Sequence, residues 1–296
     1  MKAVIFWAKC GGLANRLRAL VGYQALSSCL KVPFYLCWVS DSTCDIEFAH
    51  LFDTSKIKLV TEAQKQSMEK RHKALAYSAN TWFSTIWENH VKNSVPWGCF
   101  REQVVAHTKR LRLLPHIINR VDEFSKLHNL REAVAVHIRF TDNVDRYQHW
   151  SEHSPGFLPE RISKLEGFER FIRDSLRAYP TMRIFLSTDN KDVEKYMREI
   201  FREHLITYPK RYRRQVGWTF SEQKLKCQCQ FQRTSSIEDA LIEMLLLGRC
   251  RVIAGTYWSS YSKFASFWGN TSYLEVHGSQ YVEISFMNKL QGKVND

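Results

Sequence analysis

Short apolar segments alternate with segments of helical periodicity from residue 133 to residue 276. We predict strands at Ala133–Ile138, Met182–Ser187, Leu205–Tyr208, Arg251–Ala254 and Tyr273–Val276. We predict helices between these strands, at Glu160–Tyr179, Lys191–Phe201, Ile237–Leu247 and Ser259–Trp268. Strands that alternate with helices at this spacing favour a parallel, doubly wound sheet, so the fold class is α/β.

The first of these strands, Ala133–Ile138, is almost continuously apolar, which is typical of a strand buried on both faces. Polar groups crowd its carboxyl end, including His137, Arg139 and Asp142. Ligands of open α/β sheets bind at the carboxyl ends of strands. The planar, permanently charged guanidinium of Arg139 suits a diphosphate, and His137 points to the same face of the strand. Alternatively, Arg139 forms a structural salt bridge with Asp142.

The beginning of the chain also predicts a strand, a glycine turn and a helix. The strand is Lys2–Ala8 and the helix is Leu13–Leu30; a second strand follows at Val32–Val39. Backbone N–H groups at such a helix start can face an anion, although glycine is also an ordinary turn residue. The candidate donor-binding residues here are Gly11, Gly12, Asn15 and Arg16.

Two further loops follow predicted strands and carry polar side chains. Asp189, after the second strand of the doubly wound sheet, either binds a ligand or caps the next helix. Ser259 and Ser260 stand at a helix start, where they either help to bind an anion or serve as an N-cap. Because loops after parallel strands gather at one edge of a sheet, we expect these residues to lie near Arg139.

Asp239 is the fourth residue of the segment Ser236–Asp239, which has the pattern of a capping box. A carboxylate near a helix start can also accept two hydrogen bonds from a guanine edge. Both interpretations stay open from the residues alone.

The segment between the second strand and the sheet of the second half is less regular. Thr61–Ala76 is compatible with a helix, and His107–His128 is predicted to be helical in spite of Pro115. Between them lies an aromatic cluster that is more typical of a core than of an exposed sugar platform. Its members are Trp82, Phe83, Trp87, Trp97 and Phe100.

The net charge of +13 and the pI of about 9.4 favour an anionic partner, namely a nucleotide diphosphate, a nucleic acid or an acidic surface. No apolar run approaches the roughly 18–20 residues of a membrane span, so we expect a cytoplasmic protein, with peripheral membrane contact left open. Most of the eight cysteines are expected to be free thiols. Cys227 and Cys229 form the only close pair, which is weak support for a metal, and no metal or other cofactor is expected.

Three stretches resemble, in this order, the superfamily of α1,6-fucosyltransferases and protein O-fucosyltransferases, which includes the nodulation-type enzymes. They read CGGLANRLRAL, HIRFTD and IEDALIEMLLLGRCRVIAGTYWSS. The resemblance implies a GT-B-like fold with two Rossmann-type domains whose parallel sheets face a cleft. We place the boundary from the change of pattern near residues 120–130, and the resemblance makes residues 1–125 the acceptor-side domain and residues 126–296 the nucleotide-sugar-binding domain. It also implies metal-independent, inverting transfer of fucose from GDP-fucose to a glycan hydroxyl.

The same resemblance suggests a role for each matched residue. Arg139 resembles the essential phosphate-binding arginine, with His137 as its companion, and Asp239 resembles the carboxylate that reads guanine. The hydroxyl pair near the phosphates corresponds to Ser259 and Ser260, and the asparagine of the glycine turn to Asn15.

The chain departs from the family pattern at three places. Ala14 replaces the third glycine of the turn, and Phe140 stands where the α1,6 enzymes have a second arginine. The general base has no matching position. Asp142, Asp145 and Glu152 are the nearby carboxylates, and we choose Asp145 as the catalytic base.

Other functions remain as alternatives. The chain is either a transferase that uses another nucleotide sugar, or a non-catalytic protein that binds glycans through the Trp82–Trp97 region or nucleic acid through Lys210–Arg214. The basic residues follow no single helix face and no nucleic-acid recognition motif is present, so we expect no nucleic-acid partner. The expected partners are a nucleotide sugar and a glycan acceptor; the oligomeric state is not specified by the sequence.

Overall fold

The computed structural model describes residues 3–72, 75–77, 81–140, 157–212 and 235–284. The chain forms two compact units, and the main boundary lies between Ile118 and Asn119. This boundary falls inside the helix Pro115–Leu127, upstream of the predicted boundary between residues 125 and 126. We call the two parts the N-terminal unit and the C-terminal unit.

The N-terminal unit contains a three-stranded parallel sheet in the order β2-β1-β3. The strands are β1 (Val4–Ala8), β2 (Phe34–Trp38) and β3 (Leu75–Tyr77). The helices are α1 (Leu13–Leu30), α2 (Glu62–His72), α3 (Phe83–His90), α4 (Trp97–Arg110) and α5 (Pro115–Leu127), whose end belongs to the C-terminal unit. Helix α1 has the predicted bounds because buried apolar residues recur along it, Leu13, Leu17 and Leu20 among them.

The predicted single helix at His107–His128 is wrong. Helix α4 ends at Arg110 and helix α5 begins at Pro115. Proline lacks a backbone N–H and restricts the residue before it, so it ends one helix and is well suited to start another. The aromatic cluster behaves largely as a core: Phe83 and Phe100 are buried, and the rings of Trp87 and Trp97 lie 5.5 Å apart.

The C-terminal unit is built on a six-stranded sheet in the order β6-β5-β4-β7-β8-β9. The strands are β4 (Val134–Ile138), β5 (Ile184–Thr188), β6 (Leu205–Thr207), β7 (Val252–Thr256), β8 (Ser272–His277) and β9 (Gln280–Glu283). The helices are α6 (Leu165–Ala178), α7 (Lys191–Phe201), α8 (Ile237–Leu247) and α9 (Ser260–Gly269). The first five strands pair in parallel, which confirms the predicted doubly wound sheet.

Two features of this unit differ from the sequence prediction. Helix α6 begins at Leu165 rather than at Glu160, because residues Pro159–Arg161 form a separate 3-10 turn. The unpredicted strand β9 runs antiparallel to β8 after a turn in which Gly278 has φ 55°, a conformation that favours glycine.

Strand β4 lies at the centre of the sheet, and all five of its residues are buried. Its buried side chains form one core with residues of β5 and α6, including Phe168 and Leu186. Among the described residues, no helix combines the length and the apolar character that a bilayer crossing requires.

Candidate functional site

The candidate site lies at the carboxyl edge of the C-terminal sheet, where β4 ends between β5 and β7. In the strand register, Ile138 pairs with Thr188 and His137 pairs with Gly255. The loops that follow the three strands therefore start at the same level of the sheet. As predicted, this edge brings together the loops that carry Arg139, Asp189 and the Ser259–Ser260 pair.

Hydrogen bonds tie the end of β4 to both neighbouring strands. The backbone N–H of Arg139 donates to Thr256 Oγ1 at 3.0 Å, and the Thr256 hydroxyl donates to the His137 carbonyl at 2.9 Å. The N–H of Phe140 donates to Asp189 Oδ1 at 3.0 Å. The backbone from which the Arg139 side chain extends is therefore held on both sides.

Asp189 does not cap the following helix, so that alternative is wrong. The cap of α7 is Asn190, whose side chain accepts the N–H groups of Asp192 and Val193. Asp189 instead positions the loop after β4 through the N–H of Phe140. Sequence reasoning did not select Thr256, because the predicted strand ended at Ala254 and no local pattern marks the contact of this hydroxyl group with the end of β4.

The side chains of His137 and Arg139 have different environments. His137 is buried, and its ring stacks on Tyr261 of α9 with centroids 4.8 Å apart and planes inclined by 28°. The Tyr261 hydroxyl in turn donates to the carbonyl of Ala240 in α8. Arg139 is half-buried, so this residue is more exposed than His137. The His137 ring is thus held by an aromatic contact, whereas the neighbouring arginine is more exposed.

Helix α9 starts at the same edge of the sheet. Its first turn contains no acidic residue, and Ser259 occupies the N-cap position without making a side-chain cap hydrogen bond. The Ser259 hydroxyl is buried and has no hydrogen-bond partner among the described residues. Ser259 thus has the N-cap position that one alternative gave it, but its side chain makes no cap hydrogen bond. The free N–H groups of a first helical turn attract anions, and an unsatisfied buried hydroxyl beside them adds a donor.

The loop before α9 is strained and closely packed. Gly255 has no room for a side chain, because a Cβ atom would lie 2.4 Å from Ser262 Oγ and from the Tyr273 hydroxyl oxygen. Trp258 has φ 62°, and this left-handed conformation costs a non-glycine residue about 1 kcal/mol. Surrounding groups hold the loop: the N–H of Tyr257 donates to Ser163 Oγ at 2.7 Å, and the N–H of Trp258 donates to a buried carboxylate.

Asp239 stands in the first turn of α8, at the position predicted for a base-reading carboxylate. Its N–H donates to Ser236 Oγ at 3.0 Å, which confirms the N-cap half of the capping box. Its carboxylate Oδ1 lies 3.2 Å from Nη2 of Arg120, and Nη1 of Arg120 pairs with Glu238. Arg120 was not found from the sequence, because 119 positions separate it from Asp239 and no local pattern marks the contact.

Lys210, the first residue of the basic segment considered for nucleic acid, is buried in an ion pair. Its Nζ lies 2.6 Å from Glu243 Oε1 and donates to the carbonyl of Thr188 at 2.7 Å. The ammonium group is therefore not available to a nucleic acid, and this weakens that alternative. The rest of the predicted segment, from 213 onwards, lies outside the described residues.

Glu243 makes the stability of the protein dependent on pH. Burial raises the pKa of its carboxyl group from the ordinary 4.5 to about 7, and the attraction of Lys210 offsets only part of this effect. Between these two pH values the folded state binds more protons at this site than the unfolded state does. The stabilisation is thus complete below pH 4.5 and is lost as the pH rises to about 7.

We therefore expect the free energy of unfolding to fall more steeply between pH 5 and pH 7 in the wild type than in Glu243→Gln, which cannot titrate. Urea unfolding at both pH values measures the difference. Glu199→Gln is the matched control, because the Glu199 side chain is 66% exposed. Parallel pH profiles for the wild type and Glu243→Gln would contradict the assignment.

In the N-terminal unit, the structure corrects the predicted donor-binding role of Arg16. Its side chain has no exposed surface and pairs with Asp41 Oδ2 at 2.7 Å. Its other N–H groups donate to the carbonyls of Gly11, Ala8 and Val39 and to Thr43 Oγ1. All five donors of the guanidinium are therefore used inside the unit, and Arg16 anchors the turn instead of binding a ligand.

In the turn before α1, the residue with the left-handed conformation is Cys10 and not one of the two glycines that follow it. Cys10 has φ 57°, and its N–H donates to Asp41 Oδ2 at 2.9 Å. Gly12 has φ −64° and is the N-cap of α1, so it needs no glycine-specific conformation. Asn15 is half-buried, and no hydrogen bond joins its side chain to another described residue. Gly11, Gly12 and Asn15 remain predicted donor-binding residues.

The predicted base, Asp145, lies outside the described residues, as do Asp142 and Glu152 and the pair Cys227 and Cys229. In the part of the chain that is described, no three histidine, cysteine, aspartate or glutamate side chains are grouped to hold a metal ion.

No protein-family model matches the sequence, and a search of curated proteins finds no match. Solved structures do match. The fucosyltransferase NodZ from Bradyrhizobium is 13% identical, with a TM-score of 0.58 over 96% of this chain and 99% of that one. NodZ α-1,6-fucosyltransferase soaked with GDP-fucose gives 14% identity, a TM-score of 0.56 and the same coverage. POFUT1 in complex with GDP gives 15% identity, a TM-score of 0.51, and coverage of 91% and 95%.

This chain has the fold of these fucosyltransferases. The predicted fold class, a GT-B-like α/β protein, is thereby confirmed. Within this fucosyltransferase fold, the candidate site occupies the carboxyl edge of the C-terminal sheet, which is the general ligand position in doubly wound folds.

Proposed function

We propose that this chain is an inverting fucosyltransferase that moves fucose from GDP-fucose to a hydroxyl group of a glycan, without a metal ion. The observation that carries the proposal is the concentration of anion-binding groups at the edge formed by β4 and β7. Arg139 follows the last residue of β4, and helix α9 starts at the same edge with a buried hydroxyl group, that of Ser259, which has no hydrogen-bond partner among the described residues. Solved structures of the same fold were obtained with GDP and with GDP-fucose.

The chemistry of the proposed reaction explains why such groups are needed. The acceptor oxygen forms a bond to the anomeric carbon of fucose while the bond from that carbon to the β-phosphate oxygen breaks. The bonding electrons pass to the leaving GDP, so negative charge grows on its β-phosphate. Donors that are already oriented toward that charge stabilise the transition state more than the ground state.

Three groups supply this stabilisation in the proposal. Arg139 provides a permanent charge in a planar fork that matches phosphate oxygens. The start of α9 provides backbone N–H groups and the positive end of the helix dipole, together with the Ser259 hydroxyl. His137, stacked on Tyr261, fixes the end of β4 and adds a donor. The acceptor proton passes to a carboxylate, for which Asp145 is our candidate.

In the proposal, Asp239 recognises the base of the nucleotide. A carboxylate accepts hydrogen bonds and makes no donation, so it matches the two adjacent donors of a guanine edge. Arg120 engages Oδ1 at 3.2 Å and thereby orients the carboxylate, whose remaining lone pairs stay available. Uracil and adenine do not present the same pair of donors.

We expect GDP to raise the melting temperature of the protein, whereas UDP and ADP at equal concentration leave it almost unchanged, because only a bound ligand stabilises the folded state. Asp239→Asn should weaken GDP binding by about 10- to 100-fold, since a hydrogen bond to a charged group contributes roughly 1.5–3 kcal/mol. Glu238→Gln is the control, because Glu238 also pairs with Arg120 but is not assigned to the base. A melting-temperature shift with UDP and none with GDP would refute the role of Asp239.

Turnover is tested by release of GDP from GDP-fucose in the presence of EDTA, with and without a panel of acceptor glycans. Transfer to a glycan in EDTA supports the whole proposal. Binding of GDP-fucose without transfer to any glycan would indicate a non-catalytic protein, and activity that disappears in EDTA would refute the metal-independent mechanism.

A further inference from the structure

Glu275 is a fully buried carboxylate that contacts three different segments beside the candidate site. Its Oε1 lies 2.8 Å from Nζ of Lys263, and the Lys263 side chain is only 3% exposed. The same oxygen accepts the backbone N–H of Trp258 at 3.3 Å. Its Oε2 lies 3.1 Å from Nε2 of His277. One side chain of β8 thus joins the first turn of α9, the loop before α9 and the end of its own strand.

The position of Glu275 in the sheet explains how it reaches the loop. Glu275 pairs in register with Gly255 of β7, the strand from which the loop departs. Trp258 is the left-handed residue of that loop and directly precedes Ser259. By accepting the N–H of Trp258, Glu275 stabilises the one residue whose conformation is least favourable by itself. The direction of the next residues, Ser259 and Ser260, depends on this conformation.

The charge of Glu275 is compatible with an anion site nearby because it is neutralised locally. Burial raises the pKa of its carboxyl group, but Lys263 and His277 together lower this pKa by a larger amount. The net pKa therefore lies below the ordinary value, and the group stays ionised. The ionised carboxylate is a strong acceptor for the N–H of Trp258. Lys263 cancels the negative charge that would otherwise repel a phosphate at the start of α9.

We propose that Glu275 is a positioning residue for donor binding, which holds the Trp258–Ser259 backbone so that the start of α9 meets the phosphates of GDP. The inference rests on the proposed function. It adds a residue that the sequence motifs do not contain and that acts through the loop rather than by touching the donor.

The alternative is that the ion pair of Glu275 and Lys263 only stabilises the fold. Two matched double variants distinguish this alternative from the positioning role. Lys263→Met combined with Glu275→Gln removes both charges but keeps an oxygen that can accept the N–H of Trp258. Lys263→Met combined with Glu275→Leu removes the charges and the acceptor. Neither variant leaves a buried charge without a partner, which would be strongly destabilising. Circular dichroism and thermal melting establish a temperature at which both variants are folded, and calorimetry at that temperature measures the Kd of GDP.

We expect the variant with leucine to bind GDP about tenfold or more weakly than the variant with glutamine, because only the first loses the hydrogen bond that holds Trp258. Glu275→Asp is a milder second test: it keeps the charge opposite Lys263 but withdraws the carboxylate from the loop, and it should also weaken GDP binding. Thr271→Val is the stability control, because Thr271 donates to the carbonyl of Gly248 at 2.8 Å near the other end of α9. It should lower the melting temperature and leave the Kd of GDP nearly unchanged.

Equal GDP affinities in the two double variants, or a Glu275→Asp protein with wild-type affinity, would overturn the positioning role and leave Glu275 as a stabilising residue. Weakened GDP binding in Thr271→Val to the same degree as in the leucine variant would also overturn it, since the effect would then follow stability alone. Failure of the wild type to bind GDP is a separate result, which overturns the proposed function itself and with it the positioning role.

Discussion

Arg139→Ala should lower the rate of fucosyl transfer from GDP-fucose by about 10²–10³-fold while the protein stays folded. Arg139 is half-buried at the end of β4, and its backbone is held by Thr256, so the loss of its side chain leaves the strand in place. In the proposal, this guanidinium is the one permanent positive charge that contacts the leaving phosphate. Its removal should act mainly on kcat, because the charge on the phosphate grows in the transition state.

Two further variants sharpen this test. Arg139→Lys keeps the charge but not the planar fork, and it should recover only part of the activity. Arg177→Ala is the control, because Arg177 on α6 has a side chain that is 78% exposed and pairs with Asp174 at the surface. Initial rates and melting temperatures are measured for all three. Near wild-type turnover in Arg139→Ala would show that another group stabilises the leaving phosphate.

Arg16→Met should destabilise the protein by about 3–5 kcal/mol, because it leaves the carboxylate of Asp41 in a largely buried site without its cation. The substitution also removes the donors to the carbonyls of Ala8, Gly11 and Val39. Urea unfolding, followed by circular dichroism, measures the change in the free energy of unfolding. The result distinguishes an anchor of the turn from the donor-binding role that the sequence suggested.

A double-mutant cycle tests the pair itself. Asp41→Asn in the Arg16→Met background should restore part of the lost stability, since no buried charge then lacks a partner. Arg198→Met is the control for an exposed pair: Arg198 is half-exposed, binds Glu194 one turn away, and should cost at most about 1 kcal/mol. Unchanged stability in Arg16→Met would show that the buried arginine does not anchor the turn.

Much of the secondary structure could be predicted from the sequence, because it depends on local periodicity. Helices α1, α7 and α8 have the predicted bounds, and β4 is the buried central strand that its apolar run indicates. The prediction was wrong where a local signal was misjudged, as at Pro115. Strand β9 was missed because it is short and mostly exposed, so it lacks the apolar pattern of the inner strands.

Part of the site was also predictable, because the polar residues that follow strands in the sequence must meet at one edge of a parallel sheet. This reasoning located Arg139, Asp189 and the Ser259–Ser260 pair. It did not assign their contacts. Asp189 was expected to cap a helix or bind a ligand; Asn190 is the cap, and Asp189 accepts the N–H of Phe140, a contact that the sequence did not predict.

The sequence by itself determined the alternation of strands and helices, and with it the edge of the sheet at which Arg139 lies. Only the tertiary structure decided how the side chains are used. Arg16 is an anchor because Asp41 and three carbonyls surround it, Asp239 is held by Arg120 from 119 positions away, and Glu275 reaches the loop before α9 from the neighbouring strand. Periodicity reflects which face of an element is buried, whereas a hydrogen bond depends on which distant group the fold brings within about 3 Å.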